Sequence, residues 1–332
     1  MKNKGNNIKV MHFAHWSRSG ITSLIKALAK NRDHSFVLLL DDKDFYLYYS
    51  EIENKLSLNL DNRSLFKVAR IFFKFYREQK PEIVHVHSFT PFLIAFVLCC
   101  KSKLVFHVHN EYPYLTSENF KSRIKCCILR LCFSIRNVAV VAVSKRVKAI
   151  LKEKLDKDSF FVANGIPDEG TKRALFTELP SRKRFYSACR IESQKNLKMA
   201  IELVERISVK HDVVYHIYGE GPEKNALIEF VKKRKLEDIV IFKGFSDMPQ
   251  KLPKDYDFYL SCSNFEGFGL SIVDGLRGRN IVIVTPVGEL RNYIRDGVDG
   301  FFIDFNLNES LAKIEYIISM DSEALSVIQK NG

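Results

Sequence analysis

Short apolar runs alternate with longer amphipathic ones through the first half of the chain. After one turn-rich interruption the alternation starts again. "IKVMHFA" (8–14), "SFVLLL" (35–40), "EIVHVHS" (82–88), "KLVFHVH" (103–109) and "VAVVAVS" (138–144) are rich in Val, Ile, Leu and Phe and bounded by polar or turn residues, which predicts buried strands. Between them, 20–31, 64–80 and 121–136 read as helices. The interruption, "NGIPDEGTKRALFTELPSRKR" (164–184), has two prolines, two glycines and no long apolar period. Strands are then predicted at 185–190, 213–219, 239–244, 258–263, 281–286 and 300–304, and helices at 195–210, 222–234, 268–278 and 308–318. Strand–helix–strand alternation implies parallel sheets with helices on both faces. The expected fold is therefore α/β, with two doubly wound domains facing a central cleft: residues 1–166, a linker 167–184, and residues 185–332. Open parallel sheets bind ligands beyond the carboxyl ends of their strands, so site residues are sought there.

A length of 332 residues suits two domains, and a hydrophobic content of 46% lets each bury a core. The seven cysteines are odd in number and lack CxxC spacing, which points to reduced thiols of a cytosol and to no zinc site. The net charge of +13 raises nucleic acid as a partner, but no helix-turn-helix, zinc-finger or RNA-binding aromatic motif accompanies it. A basic surface for phosphorylated substrates or an anionic membrane is expected instead, with no nucleic acid. The polar N-terminus carries no secretory pattern. "PFLIAFVLCC" (91–100) stops well short of the ~18 apolar residues of a membrane span and is expected to be a buried helix.

Three stretches after predicted strands carry chemistry. In "SACRIESQKN", Arg190 closes a strand and Lys195 opens a helix five residues later. A guanidinium fork, an ammonium and a helix N-terminus suit a diphosphate, though the same residues fit a solvated charged turn. In "YGEGPEKNAL", Gly219 and Gly221 allow a close backbone approach, as any strand-to-helix turn would. In "NFEGFGLSIVDG" (264–275), Glu266 precedes Gly267, Phe268, Gly269 and Leu270, and Asp274 follows eight residues after Glu266. Eight helical residues span about 12 Å. Two carboxylates at that separation suit the diols at the two ends of a nucleotide sugar, with backbone amides and the helix dipole beside the diphosphate.

These motifs, with "VVAVSKRVK" and "VANGIP", resemble glycosyltransferase family 4, the retaining "glycosyl transferases group 1". The resemblance covers nearly the whole chain and implies two Rossmann-like domains in the GT-B architecture. It also implies retaining transfer of a sugar from a nucleotide-sugar donor, UDP- or GDP-linked, to a saccharide or lipid-linked saccharide in cell-surface polysaccharide or lipopolysaccharide synthesis. No cofactor and no metal are implied. Carried over to this chain, Arg190 and Lys195 bind the diphosphate. Glu266 holds sugar hydroxyls and Asp274 the ribose. Amides of Phe268, Gly269 and Leu270 contact sugar and phosphate, Gly219 belongs to the donor-binding set, Gly20 approaches the diphosphate, and His109 lies near the donor sugar and the attacked bond. The sequence departs from the family at Asp274, where Glu is usual, at Cys189, where Gly is usual, and at Ser19-Gly20, where a glycine pair is usual. The sequence ends at "VIQKNG", and the closing helix that family members often carry is expected to be short or absent.

Other features are read more plainly. Asp42 and Asp44 in "DDKD", and Asp255 and Asp257 in "KDYD", are expected to cap and solvate. His85, His87, His107 and His109 alternate on two strands and are read as strand-end histidines opening on the cleft, not as a zinc cluster. The helix within 120–137 carries Lys121, Arg123, Lys125, Arg130 and Arg136 beside an apolar stripe. It is read either as a core helix with a basic face or as a peripheral contact with anionic lipid, for an enzyme at the inner face of the plasma membrane. Two other activities fit the resemblance: a nucleotide-sugar epimerase of the same architecture, and a silent nucleotide-sugar-binding partner. A Rossmann oxidoreductase is set aside because GxGxxG is missing after the first strand.

Overall fold

A computed structural model describes residues 8–15, 24–26, 28–29, 33–40, 45–110, 112–165, 172–178, 180–246 and 249–332. The chain divides into two compact units, Met1–Gly165 and Ile166–Gly332. Gly20, Asp42 and Asp44 lie outside the described residues.

The first unit holds a parallel sheet of seven strands in the order β3-β2-β1-β4-β5-β6-β7. Its strands are β1 Val10–Ala14, β2 His34–Leu38, β3 Asn54–Ser57, β4 Ile83–Val86, β5 Lys103–Val108, β6 Val138–Ala142 and β7 Phe160–Phe161. β3, "NKLS", is mostly polar and β7, "FF", is exposed, so neither writes a buried apolar run; pairing to β2 and β6 defines them. One face of the sheet packs on helices Leu65–Gln79 and Phe89–Leu98, through Phe13 against Phe72 and Phe92 against Phe106. The other face carries His12, His85 and His107, whose cross-strand partners His12↔His85 and His85↔Val105 fix that common side.

The second unit holds six parallel strands in the order β10-β9-β8-β11-β12-β13. They are β8 Lys183–Ala188, β9 Val213–Tyr218, β10 Val240–Gly244, β11 Phe258–Ser261, β12 Ile281–Val284 and β13 Phe301–Phe302. Every residue of β12 is buried, the pattern of a strand covered on both sides. Helix Leu197–Ser208 sends seven residues into this core. The strand order reverses between β8 and β11, which are hydrogen-bonded neighbours, and that reversal is where an open sheet forms its ligand crevice.

The expected linker is not free in its described part. Arg173 N donates to Gly278 O, and Phe176 N to Gln329 Oε1, so residues 172–178 are fastened to the second unit. Asp257 corrects the expectation of a solvated cap. It is fully buried and accepts from Arg173 Nη2 at 2.6 Å and from Arg184 N at 2.8 Å. A final helix, Ser322–Asn331, was not foreseen; Asp321 caps it and Ser326 donates to Phe176 O.

Candidate active site

Lys195 follows β8 and Glu266 follows β11. The two strands are neighbours, so residues 71 apart in sequence come together: Lys195 Nζ donates to Glu266 Oε1 at 2.6 Å. The Lys195 side chain retains 16% of its exposure and that of Glu266 9%. Burial alone pulls the Lys195 pKa down; the Glu266 carboxylate reverses this and leaves it above the ordinary lysine value. Ser263 Oγ also donates to Glu266 Oε1, at 2.8 Å.

The loops carrying the pair are clipped together. Gln194 Nε2 donates to Phe265 O at 2.8 Å, and Asn264 N to Gln194 O at 2.8 Å. Lys195 sits in the 3-10 turn Ser193–Lys195 and not in the helix, which begins at Leu197 after the left-handed Asn196. Gly288 backs the other side. At φ +59 its missing Cβ would lie 2.0 Å from Glu266 O, so only glycine lets the β12 loop support Glu266. Ser263, Gln194 and Gly288 were missed in the sequence. Gly288 left a signal, a glycine in the turn after the apolar run "IVIVTPVG".

Gly269, at φ +76, caps helix Leu270–Arg277, and Tyr293 OH donates to Phe268 O at 2.6 Å, which fixes the entry to the first turn. Asp274 projects from that helix, and its Oδ1 accepts from Arg277 Nη2 at 3.2 Å. Burial raises its pKa, opposed by Arg277. Arg190 lies two residues beyond β8 and does not end it. Half-exposed, its Nε is 3.1 Å from Glu192 Oε2. The loop that carries Arg190 rests on the β9 turn: a Cβ on Gly219 would lie 1.8 Å from Cys189 O, and one on Gly221 2.1 Å from Ile191 O. What the glycines approach so closely is protein backbone. Cys189 lies outside the left-handed region, so its side chain brings no strain there, and burial pushes its thiol up to about 12.

In the first unit His109 is buried, and its Nε2 pairs with His87 Nδ1 at 2.9 Å. The histidines are not open strand ends. His12, His87, His107 and His109 are each at most 5% exposed and pack on one another. Burial, and then their neighbours' like charge, lower their pKa values, to about 4 for His85 and about 3 for His107. Helix Phe120–Ile135 exposes Phe120, Ile124, Leu131 and Ile135. Of its basic residues, Arg136 turns inward to the carbonyls of Phe96 and Cys99, and Lys125 lies over the rings of Phe89 and Tyr114.

The ends of the neighbouring strands β8 and β11 thus bring an ammonium and a buried carboxylate together beside a glycine-capped helix on a doubly wound sheet. Residues 170–332 match the family described as "Glycosyl transferases group 1" and residues 19–169 that described as "Glycosyltransferase Family 4". The chain belongs to the group 1 glycosyltransferases. It is 26% identical over 220 residues to a poly(ribitol-phosphate) alpha-N-acetylglucosaminyltransferase of Staphylococcus aureus, covering 65% of this chain and 43% of that one. It is 24% identical over 275 residues to the O-antigen biosynthesis glycosyltransferase WclY of Escherichia coli, covering 77% and 72%. The chain thus spans less than half the length of the staphylococcal relative. The solved structure of Anabaena Alr3699/HepE in complex with UDP and glucose superposes with a TM-score of 0.82 at 18% identity, over 98% of this chain and 93% of that one. That likeness shows the fold, the GT-B architecture.

Proposed function

We propose that the protein is a retaining glycosyltransferase that moves a sugar from a UDP- or GDP-sugar to a saccharide or lipid-linked saccharide in cell-surface glycan synthesis. The carrying observation is the buried Lys195–Glu266 pair at the β8/β11 reversal. Relatives named for poly(ribitol-phosphate) glycosylation and O-antigen biosynthesis support the pathway class, and a related fold solved with UDP supports the donor class.

In this reading Lys195 leaves Glu266 for the donor diphosphate and, with Arg190, stabilises the charge that builds on the departing nucleotide. Glu266, released, accepts hydrogen bonds from the sugar. Asp274 takes the ribose, and the amides of Phe268, Gly269 and Leu270 complete the cradle. Fixed cations and a helix N-terminus supply the electrostatic stabilisation, so the diphosphate needs no divalent metal. His109 is assigned to the sugar near the attacked bond. Retention follows from front-face attack, with the leaving phosphate helping to deprotonate the acceptor, and no carboxylate acts as nucleophile. The exposed face of Phe120–Ile135, where Phe120, Ile124, Leu131 and Ile135 share one side beside Lys121, Arg123 and Arg130, rests on anionic lipid. No described helix is long and apolar enough to cross a membrane.

The test is a panel of UDP-, GDP- and ADP-sugars followed for nucleotide release, with and without added Mg2+ or Mn2+. Release from one UDP- or GDP-sugar at a rate the ions leave unchanged supports the reading. Sugar interconversion without release would make the protein an epimerase, and binding alone a silent partner.

A further inference from the structure

One face of the first unit's sheet carries histidine where a buried parallel sheet would carry Val or Ile. His12 of β1 lies opposite His85 of β4, with His87 just beyond β4, His34 opening β2, and His107 and His109 at the end of β5. The sequence brings out His85, His87, His107 and His109, read there as strand-end histidines and not as a zinc cluster, but not His12 and His34, whose strands lie far from β4 in sequence and beside it or its neighbour in the sheet.

We propose that His12, His85 and His87 form a site for one divalent transition-metal ion of the kind that favours imidazole, such as Zn2+. One ligand nitrogen from each of the three lies within 4.8 Å of the other two. His12 Nδ1 and His87 Nε2 face each other at 3.3 Å. Two nitrogens bound tetrahedrally at about 2.1 Å are separated by about 3.4 Å. His85 Nε2 is buried without a partner among the described residues, and an unsatisfied buried polar atom is destabilising until something binds it.

The outer contacts select this triad. A metal-bound imidazole characteristically donates its remaining N–H to a neighbouring acceptor, which fixes the tautomer. His12, ligating through Nδ1, has Nε2 placed 3.1 Å from His34 Nδ1. His87, ligating through Nε2, has Nδ1 placed 2.9 Å from His109 Nε2. Both ligands thus keep an acceptor for their second nitrogen, and both free lone pairs turn toward the same point. The ligand atoms of His87, His107 and His109 also lie within 4.8 Å of one another, but the His87–His109 contact is a close 2.9 Å hydrogen bond, whereas the His12–His87 contact, at 3.3 Å, is near the separation of two metal-bound nitrogens. Neutral nitrogen donors without a carboxylate favour Zn2+, Cu2+ or Ni2+ over Mg2+ or Ca2+. Half-buried His85 gives the ion access. Once bound, the ion ties β1 to β4 and, through the His87 contact, orients His109.

The experiment uses the whole chain without a histidine tag. Zn2+ is titrated against a chromophoric chelator, and thermal unfolding is followed with and without Zn2+. About one equivalent per chain, bound at sub-micromolar concentration, with a raised Tm is expected. His85→Gln should weaken binding about tenfold or more and abolish the Tm rise, while His107→Gln should retain both. Failure of the wild-type chain to compete with the chelator would overturn the site. So would loss of binding in His107→Gln with retention in His85→Gln. Nucleotide release by a chain that fails to bind Zn2+ would sink this site alone, and Zn2+ binding by a chain that releases no nucleotide would sink the transferase reading alone.

Discussion

Lys195 Nζ and Glu266 Oε1 lie 2.6 Å apart, each group nearly out of water and each delivered by a different strand of one sheet. Removing one partner strands the other as a buried charge, which costs about 3–5 kcal/mol, whereas replacing both is close to neutral. Lys195→Met and Glu266→Gln should each lower the Tm, and the double variant should recover most of the loss. Denaturant melts of the four proteins give the coupling. Because the folded Lys195 pKa is raised, the pair's contribution is fully present at neutral pH and fades as pH rises above the ordinary lysine range toward the folded value. Stability falling through the alkaline range in the wild type, and less in the double variant, is the expected signature.

Asp274 gives a second pH dependence of opposite origin. Burial raises its pKa despite Arg277. An acid with a raised folded pKa binds more protons when folded, so its contribution to stability is present at low pH and is lost as pH rises from the ordinary Asp range through the folded value. Asp274→Asn should flatten that decline. Ribose recognition needs the carboxylate, so nucleotide affinity should fall as pH drops into the raised range. At neutral pH, Asp274→Asn should weaken it by about 1–2 kcal/mol, roughly five- to thirtyfold, by calorimetry.

Gly288 stands behind Glu266 at a distance no side chain tolerates. Gly288→Ala should displace the Glu266 backbone and cut nucleotide release by about 10²-fold, since small misplacements of reacting groups are costly. The Tm should fall by only a few degrees. Equal release by variant and wild type would remove Gly288 from the account.

Asp257 is a matter of stability and not of chemistry. It is fully buried between Arg173 and Arg184. Asp257→Ala should cost about 3–5 kcal/mol in urea melts, while release per folded molecule stays near wild type.

The exposed face of Phe120–Ile135 is tested with vesicles. Leu131→Ser with Ile135→Ser should reduce sedimentation with anionic vesicles and leave donor cleavage in solution unchanged. Both side chains are more than half exposed, at 60% and 68%, so little folding energy is at stake.

Much of the fold was legible because strands buried on both faces write themselves as unbroken apolar runs, as β12 does. β3 and β7 were not, since their neighbours define them. Nor was Ser322–Asn331, whose place depends on contacts with Phe176 and Arg279 far back in the chain. At the site, Lys195 was singled out for a donor's diphosphate and Glu266 for its sugar; that the two touch each other depends on strand order. The same limit hid Asp257, which reads as a surface acid until Arg173 is folded onto it, and the joining of His12 and His34 to the histidines at β4 and β5.

The most direct measurement is nucleotide release by Lys195→Ala and Glu266→Ala beside wild type, on the donor the panel identifies. The account predicts wild-type release, losses of about 10²–10³-fold in both variants, and cooperative melts in all three. Wild-type rates in both variants would contradict it.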